Sequence, residues 1–154
     1  MLEGAKRVGE ELKEFLSEQF DCCFCDNDMH IGARTKYHYP DGDVIDIFLP
    51  SGGIQDPCNY RLTDLCETYG WIRTVCVDDV FSDKFYSYFC DYTLLNKCEN
   101  MDVYFSRCFK NIFAVAQNTA LKDLPDRINE FALFIQKFSN YVYEKEEEPK
   151  ETKQ

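Results

Sequence analysis

The sequence predicts an α+β fold in which a small antiparallel sheet, a hairpin plus a third strand, packs against an N-terminal helix and two C-terminal helices. Apolar residues recur with helical spacing near both ends of the chain, and they alternate with polar residues between residues 35 and 49. The composition is 45% hydrophobic and 16% aromatic, which is typical of one packed domain. We place this domain at residues 1 to 143. The charged residues 144 to 154 are expected to form a disordered tail.

The first predicted element is an amphipathic helix over residues 2 to 19, because Leu12, Phe15 and Leu16 recur with helical spacing among charged residues. It is followed by a cysteine-rich irregular stretch, residues 21 to 28. The hairpin signal comes next, since two alternating stretches flank Asp41 and Gly42, a pair typical of a two-residue loop.

That loop places Tyr39 opposite Val44 and divides the hairpin into two faces. One face carries Lys36, His38, Ile45, Ile47 and Leu49. The other carries Tyr37, Tyr39, Val44, Asp46 and Phe48. A third strand is predicted at Cys58 to Leu62, before a helix that starts at Thr63, Asp64 and Glu67, where oxygen-bearing side chains cap free amides.

The remaining elements are predicted from the spacing of apolar residues, which is irregular in the middle of the chain and regular near its C-terminus. A helix is predicted at about Asp79 to Phe89 and a short strand near Thr93 to Asn96. One C-terminal helix is predicted from the stripe Tyr104, Cys108, Ile112 and Val115. The other follows from the longer stripe Leu124, Ile128, Phe131, Ile135, Phe138 and Val142.

The charge balance limits the kinds of partner. With 17 Lys and Arg against 28 Asp and Glu, the net charge is −11. A protein that grips phosphates needs a basic face, so direct binding of nucleic acid or of an anionic membrane is disfavoured. The tail holds five Glu and three Lys, so the domain itself keeps a net charge of −9. We therefore expect a basic host protein as partner, and self-association as a homodimer stays open.

Metal chemistry is the alternative to protein binding. Cys22 and Cys25 have the spacing of a zinc knuckle, and His30 and His38 follow them, which makes a zinc site conceivable. Without it, no cofactor is expected. The loop acids Asp41 and Asp43, with Asp46, could form a carboxylate cluster, but turn-forming roles and a tyrosine hydroxyl partner for Asp46 explain them better. No converging catalytic set is found.

Candidate protein-binding residues are the aromatic pair Tyr141 and Tyr143 near the tail, and the acids Asp64 and Glu67. For these acids the capping role is favoured over a binding role. Trp71 is interpreted as a core residue more readily than as an interface anchor.

Two stretches together resemble a known family. Tyr39 to Asp43 (YPDGD) precedes an apolar strand, and Arg61 to Thr68 (RLTDLCET) follows it. This order resembles the bacterial and phage family called domain of unknown function 1828, which pairs a Gly-Asp hairpin with a Leu-Thr-Asp-x-Gly-Glu-Thr helix start. The resemblance covers residues 34 to 72, and Cys66 stands where the family pattern usually has Gly.

The resemblance implies an origin in phage or mobile elements and no known reaction. Together with the charge, it predicts a non-catalytic acidic protein-binding domain that engages a basic host protein, such as a defence or nucleic-acid-handling factor. The alternative is a small zinc-stabilised domain or metal-dependent enzyme that uses the region from Cys22 to His38. An odd number of cysteines, nine, and the lack of an apolar signal region favour the reducing cytoplasm.

Overall fold

The computed structural model describes residues 2–26, 29–50, 59–75 and 81–147, and it confirms an α+β fold. The four helices are α1 (Leu2–Gln19), α2 (Glu67–Val75), α3 (Phe81–Leu95) and α4 (Leu124–Glu147). The six strands are β1 (Cys23–Asp26), β2 (His30–His38), β3 (Val44–Pro50), β4 (Tyr60–Thr63), β5 (Val103–Phe105) and β6 (Ile112–Ala116). None of the helices in these ranges is long and apolar enough to cross a membrane.

The strands form one antiparallel sheet in the order β1-β2-β3-β4-β6-β5. One face of the sheet is covered by helices, because the core joins Ile31, Ile47 and Leu62 from the strands to Leu16 of α1 and Phe131 of α4. The other face carries a row that crosses every strand in register: Phe24, Gly32, Phe48, Thr63, Phe113 and Tyr104. The rings of Phe24 and Phe48 meet edge to face above Gly32.

The first and last predicted helices are confirmed. α1 spans residues 2 to 19 and buries Leu12 and Leu16. In α4, all six stripe residues named from the sequence are buried, and Pro125 lies in the first turn, where its missing N–H costs no hydrogen bond. An apolar stripe this regular is enough to predict a helix, because a helix buries the apolar face of such a sequence and leaves its polar face in water.

The hairpin is confirmed, but its predicted register is wrong, by one residue beside the loop and by three residues at Asp46, which lies opposite Arg34. His38 lies opposite Val44, and the Tyr39 N–H donates to the Asp43 carbonyl at 2.8 Å to close a longer loop. The register shifts between Arg34 and His38, where Thr35 Oγ1 accepts the N–H of residue 37. A shift of one residue exchanges the faces of a strand, so Tyr39 enters the core while Lys36 and His38 stay exposed.

Three further predictions need correction or extension. The third strand is β4, at Tyr60–Thr63, while residue 58 lies outside the described residues. Residues 93 to 95, predicted as a strand, end the helix α3. The predicted helix over residues 104 to 115 is instead the β5-β6 hairpin, because short β-branched and aromatic stretches flank a turn in which Lys110 adopts a φ of 61°.

The predicted tail begins too early. α4 continues to Glu147, and residues 148 to 154 lie outside the described residues. The last turns of α4 are held against α3, because Glu146 accepts a hydrogen bond from the Tyr88 hydroxyl and lies 2.8 Å from the Lys84 ammonium. Residues 144 to 147 are therefore part of the folded domain.

Candidate functional site

The four residues of the predicted zinc site do not converge. Cys22 lies beside Arg34, whose N–H donates to the Cys22 carbonyl at 2.9 Å, whereas His30 pairs with Asp26 at the opposite end of β1. His38 is eight residues beyond His30 on the same strand, which separates them by roughly 26 Å at the ordinary strand rise. Cys25 sits in β1 opposite residue 31. Within the described ranges, no three His, Cys, Asp or Glu side chains are grouped as metal ligands.

The hairpin acids also have separate tasks. Asp41 accepts the N–H of Asp43 at 2.9 Å, the turn-forming role expected for this residue type. Asp46 does not bind a tyrosine hydroxyl as predicted. It receives two hydrogen bonds from the Arg34 guanidinium, at 3.0 and 3.1 Å, and this bidentate geometry is the strong form of an ion pair.

Asp64 is fully buried and joins the start of α2 to β6. Its Oδ1 accepts the N–H of Cys66 at 3.0 Å and the N–H of Ile112 at 2.9 Å, and its Oδ2 accepts the N–H of Thr68 at 3.2 Å. Its own N–H donates to the Ile112 carbonyl at 3.1 Å. Asp64 therefore caps α2 and also links α2 to β6. Because its carboxylate is buried, it cannot touch a protein partner, and its prediction as a binding residue is corrected.

A chain of contacts leads from Asp64 to the surface. The hydroxyls of Tyr39 and Thr68 are hydrogen-bonded at 3.0 Å. The Tyr39 ring stacks on Trp71 with centroids 5.3 Å apart, and Trp71 lies 6.5 Å from the ring of Tyr143. We call Tyr39, Thr68, Trp71 and Tyr143 the Trp71 cluster. Only Tyr143, 38% exposed, reaches solvent to a large extent.

Burial shifts the pKa values of Asp64 and of Tyr39 in the Trp71 cluster. Burial raises the pKa of Asp64, and hydrogen bonds from Thr68, Ile112 and Cys66 oppose that rise. Burial also raises the pKa of Tyr39, and the nearby Asp64 carboxylate adds to the effect. Tyr39 therefore stays protonated at neutral pH, and both Tyr39 and Asp64 are shielded from solvent.

The predicted aromatic pair is divided between two places. Tyr141 packs against the rings of Tyr88 and Tyr92 on α3, whereas Tyr143 lies against Trp71 on α2. Trp71 is buried, as favoured from the sequence. Glu67 is exposed in the first turn of α2, where its charge suits the positive end of the helix dipole.

Sequence reasoning missed an acidic surface on α1. Glu10, Glu14 and Glu18 follow one another at intervals of four residues, with Glu11 beside them and Asp21 just beyond the helix, and all five are exposed. We call these five residues the acidic stripe. None of them has an ion pair in the part of the chain that the structure describes. The four-residue spacing was the signal that could have revealed it.

Comparison with family models, with curated proteins and with solved structures finds no match to this chain.

Proposed function

We propose that this chain is a non-catalytic, acidic protein-binding domain of phage or mobile-element origin that acts in the cytoplasm by binding a basic host protein. The acidic stripe is the observation that carries the proposal. Over residues 10 to 21 the sequence has five acids and one base, Lys13, while the side chains of Lys6 and Arg7 in the preceding turns lie outside the described part of the structure. The stripe lies opposite the buried Leu12 and Leu16, so the whole acidic side is available to a partner.

The stripe is unfavourable for the isolated protein. Like charges four residues apart destabilise a helix by about 0.2 to 0.5 kcal/mol per pair. The pairs Glu10 with Glu14 and Glu14 with Glu18 each carry that cost. A basic partner would relieve it, and the field of a −11 protein would accelerate the encounter of the two proteins.

The proposed origin rests on the resemblance to the domain of unknown function 1828. One feature of the backbone supports it. The family pattern usually has Gly where this chain has Cys66, and Cys66 adopts a φ of 68°. Glycine takes that left-handed conformation without steric cost, so this position has the backbone geometry for which a glycine is preferred.

The test is a pull-down from bacterial lysate with three forms of the protein. In the stripe variant, Glu10, Glu14 and Glu18 are replaced by Gln. In the matched control, the same charge is removed elsewhere by Asp91→Asn, Asp102→Asn and Glu147→Gln, all at exposed positions. We expect a basic protein to be retained by wild type and control at low salt, and to be lost in the stripe variant and at high salt.

Two results would contradict the proposal. One is the absence of any partner that low salt retains and high salt releases. The other is equal loss of binding in the stripe variant and the control, because the effect would then follow net charge and not the stripe.

A further inference from the structure

The segment that joins α3 to β5 has cavities on two sides. Lys97 and Cys98 line a cavity of about 320 Å³ between α3 and α4, and they also line one of about 400 Å³ beside Tyr104 and Val115 of the sheet. Protein interiors are normally close-packed, so a segment that borders open space on two sides makes few packing contacts. We call residues 97 to 100 the strap.

Firm attachments lie at both ends of the strap. On one side, the main-chain N–H and the side-chain amide of Asn96 both donate to the Tyr92 carbonyl, at 3.0 and 2.9 Å. On the other side, Met101 is buried in the core. The four residues between these two points are exposed apart from Cys98, which is half-buried. The strap can therefore move while both of its ends stay in place.

A single residue of α4, Glu130, holds the strap. The Cys98 thiol donates to the Glu130 carbonyl at 3.7 Å, and the Asn100 side-chain amide donates to the carboxylate Oε1 at 3.2 Å. Among the described residues, no other hydrogen bond joins the strap to a helix or strand. Asn100 also adopts a left-handed φ of 67°, which is less favourable for asparagine than for glycine.

The closed strap leaves one carboxylate oxygen of Glu130 unsatisfied. Its Oε1 accepts hydrogen bonds from Arg127 and from Asn100, whereas its Oε2 is buried and has no hydrogen-bond partner in the described part of the chain. A buried acceptor without a partner is costly. Glu130 and the strap line the same cavity, so opening that cavity to solvent would let water reach Oε2 and would offset part of the cost of opening.

We propose that the strap is a gate that opens while the rest of the fold stays closed. Opening breaks both hydrogen bonds to Glu130 and joins the two cavities that Lys97 and Cys98 separate. It gives solvent access to the Cys98 thiol and to the cavity wall formed by Leu133 and Phe134. Segments with few buried contacts and few hydrogen bonds open locally at a free energy below that of global unfolding.

The opening is measured in the full chain by the rate at which iodoacetamide labels Cys98, followed by peptide mass spectrometry. Burial raises the pKa of this thiol from 9.0 to about 12, so the closed state reacts slowly, because the thiolate is the nucleophile. Cys108 is the exposed reference, and Cys90, half-buried on α3, is the internal control. We expect Cys98 to react more slowly than Cys108, at a rate that low urea barely changes, since local opening exposes little surface.

Two variants separate the strap from the rest of the fold. Asn100→Gly removes the amide that binds Glu130 and suits the left-handed backbone. It should raise the Cys98 rate about tenfold, because a hydrogen bond to a charged group is lost. Asn118→Gly is the matched control and should leave the rate unchanged, since Asn118 is also exposed, with a φ of 50°, but lies in the turn after β6. Circular dichroism checks that both variants fold.

Three results would overturn the proposal. If Cys98 of the wild type reacts as fast as Cys108, the strap is not closed. If Asn100→Gly reacts like the wild type, the bond to Glu130 does not hold the strap. If low urea accelerates the labelling of Cys98 and Cys90 equally, the thiol is exposed only by global unfolding.

Discussion

Replacing Asp64 by Asn should destabilise the protein more than its nearly identical shape suggests. Both carboxylate oxygens accept hydrogen bonds from main-chain N–H groups, and the amides of Thr68 and Ile112 that donate to them are in buried positions. Asn has only one oxygen. If that oxygen serves Cys66 and Ile112, its NH₂ group faces the N–H of Thr68, donor against donor.

The magnitude follows from that arrangement. A hydrogen bond to a charged group contributes about 1.5 to 3 kcal/mol, and a buried unsatisfied donor costs about 1 to 3 kcal/mol. Asp64→Asn loses one such bond and weakens two others, so we expect a loss of about 2 to 4 kcal/mol in the free energy of unfolding. That is a large part of the about 5 to 15 kcal/mol typical of a domain.

The assay is urea unfolding followed by the fluorescence of Trp71, the single tryptophan of the chain. Asp91→Asn is the control, because Asp91 is exposed on α3, and it should change the stability by less than about 0.5 kcal/mol. A loss below about 1 kcal/mol for Asp64→Asn would refute the view that this carboxylate joins α2 to β6.

Three further predictions concern packing and pH. Gly32→Ala should cost about 1 to 3 kcal/mol in a urea titration, because the new Cβ would lie 2.5 Å from a Phe24 ring atom and 2.8 Å from one of Phe48; a neutral result would mean that the two rings are free to move. Phe138→Ala should cost about 3 to 5 kcal/mol, since this fully buried ring meets two α3 rings edge to face at 5.6 Å; a loss under about 2 kcal/mol would contradict the packing. Burial, with the charge of a nearby carboxylate, raises the pKa of the Cys98 thiol from 9.0 to about 12. The unfolded chain therefore loses this proton first, and stability should fall as pH rises from about 9 by at most about 1.4 kcal/mol per pH unit. Cys98→Ala should lessen that slope when unfolding is measured at pH 8, 9 and 10, and an unchanged slope would exclude the thiol as its source.

The helices at the two ends could be predicted because their patterns are long. Leu12 and Leu16 in α1, and the six-residue stripe in α4, repeat over enough turns that only a helix can bury them together. The helix predicted from Tyr104 to Val115 is wrong because four apolar residues over twelve positions also fit two short strands. Short apolar runs do not distinguish the two by period alone.

The candidate site was only partly predictable. The capping chemistry of Thr63, Asp64 and Glu67 is local, and its residue types predicted a helix start correctly. The link from Asp64 to β6 could not be predicted, since the hydrogen bond from the Ile112 N–H to Asp64 joins residues that are 48 positions apart. The separation of Tyr141 from Tyr143 likewise depends on α2 and α3, which pack on different sides of α4.

By itself, the sequence determined the properties that depend on composition and on local periodicity: an acidic chain of net charge −11, a mixed fold, the two terminal helices and the hairpin. The tertiary structure alone decided the register of the hairpin, the length of the sheet and the positions of the charges. The reason is physical. A shift of one residue in strand pairing exchanges buried and exposed faces. Contacts between residues that are distant in the sequence determine which pairing is adopted. The same contacts decide which acids, such as Asp64, are buried and which, such as Glu14, are exposed.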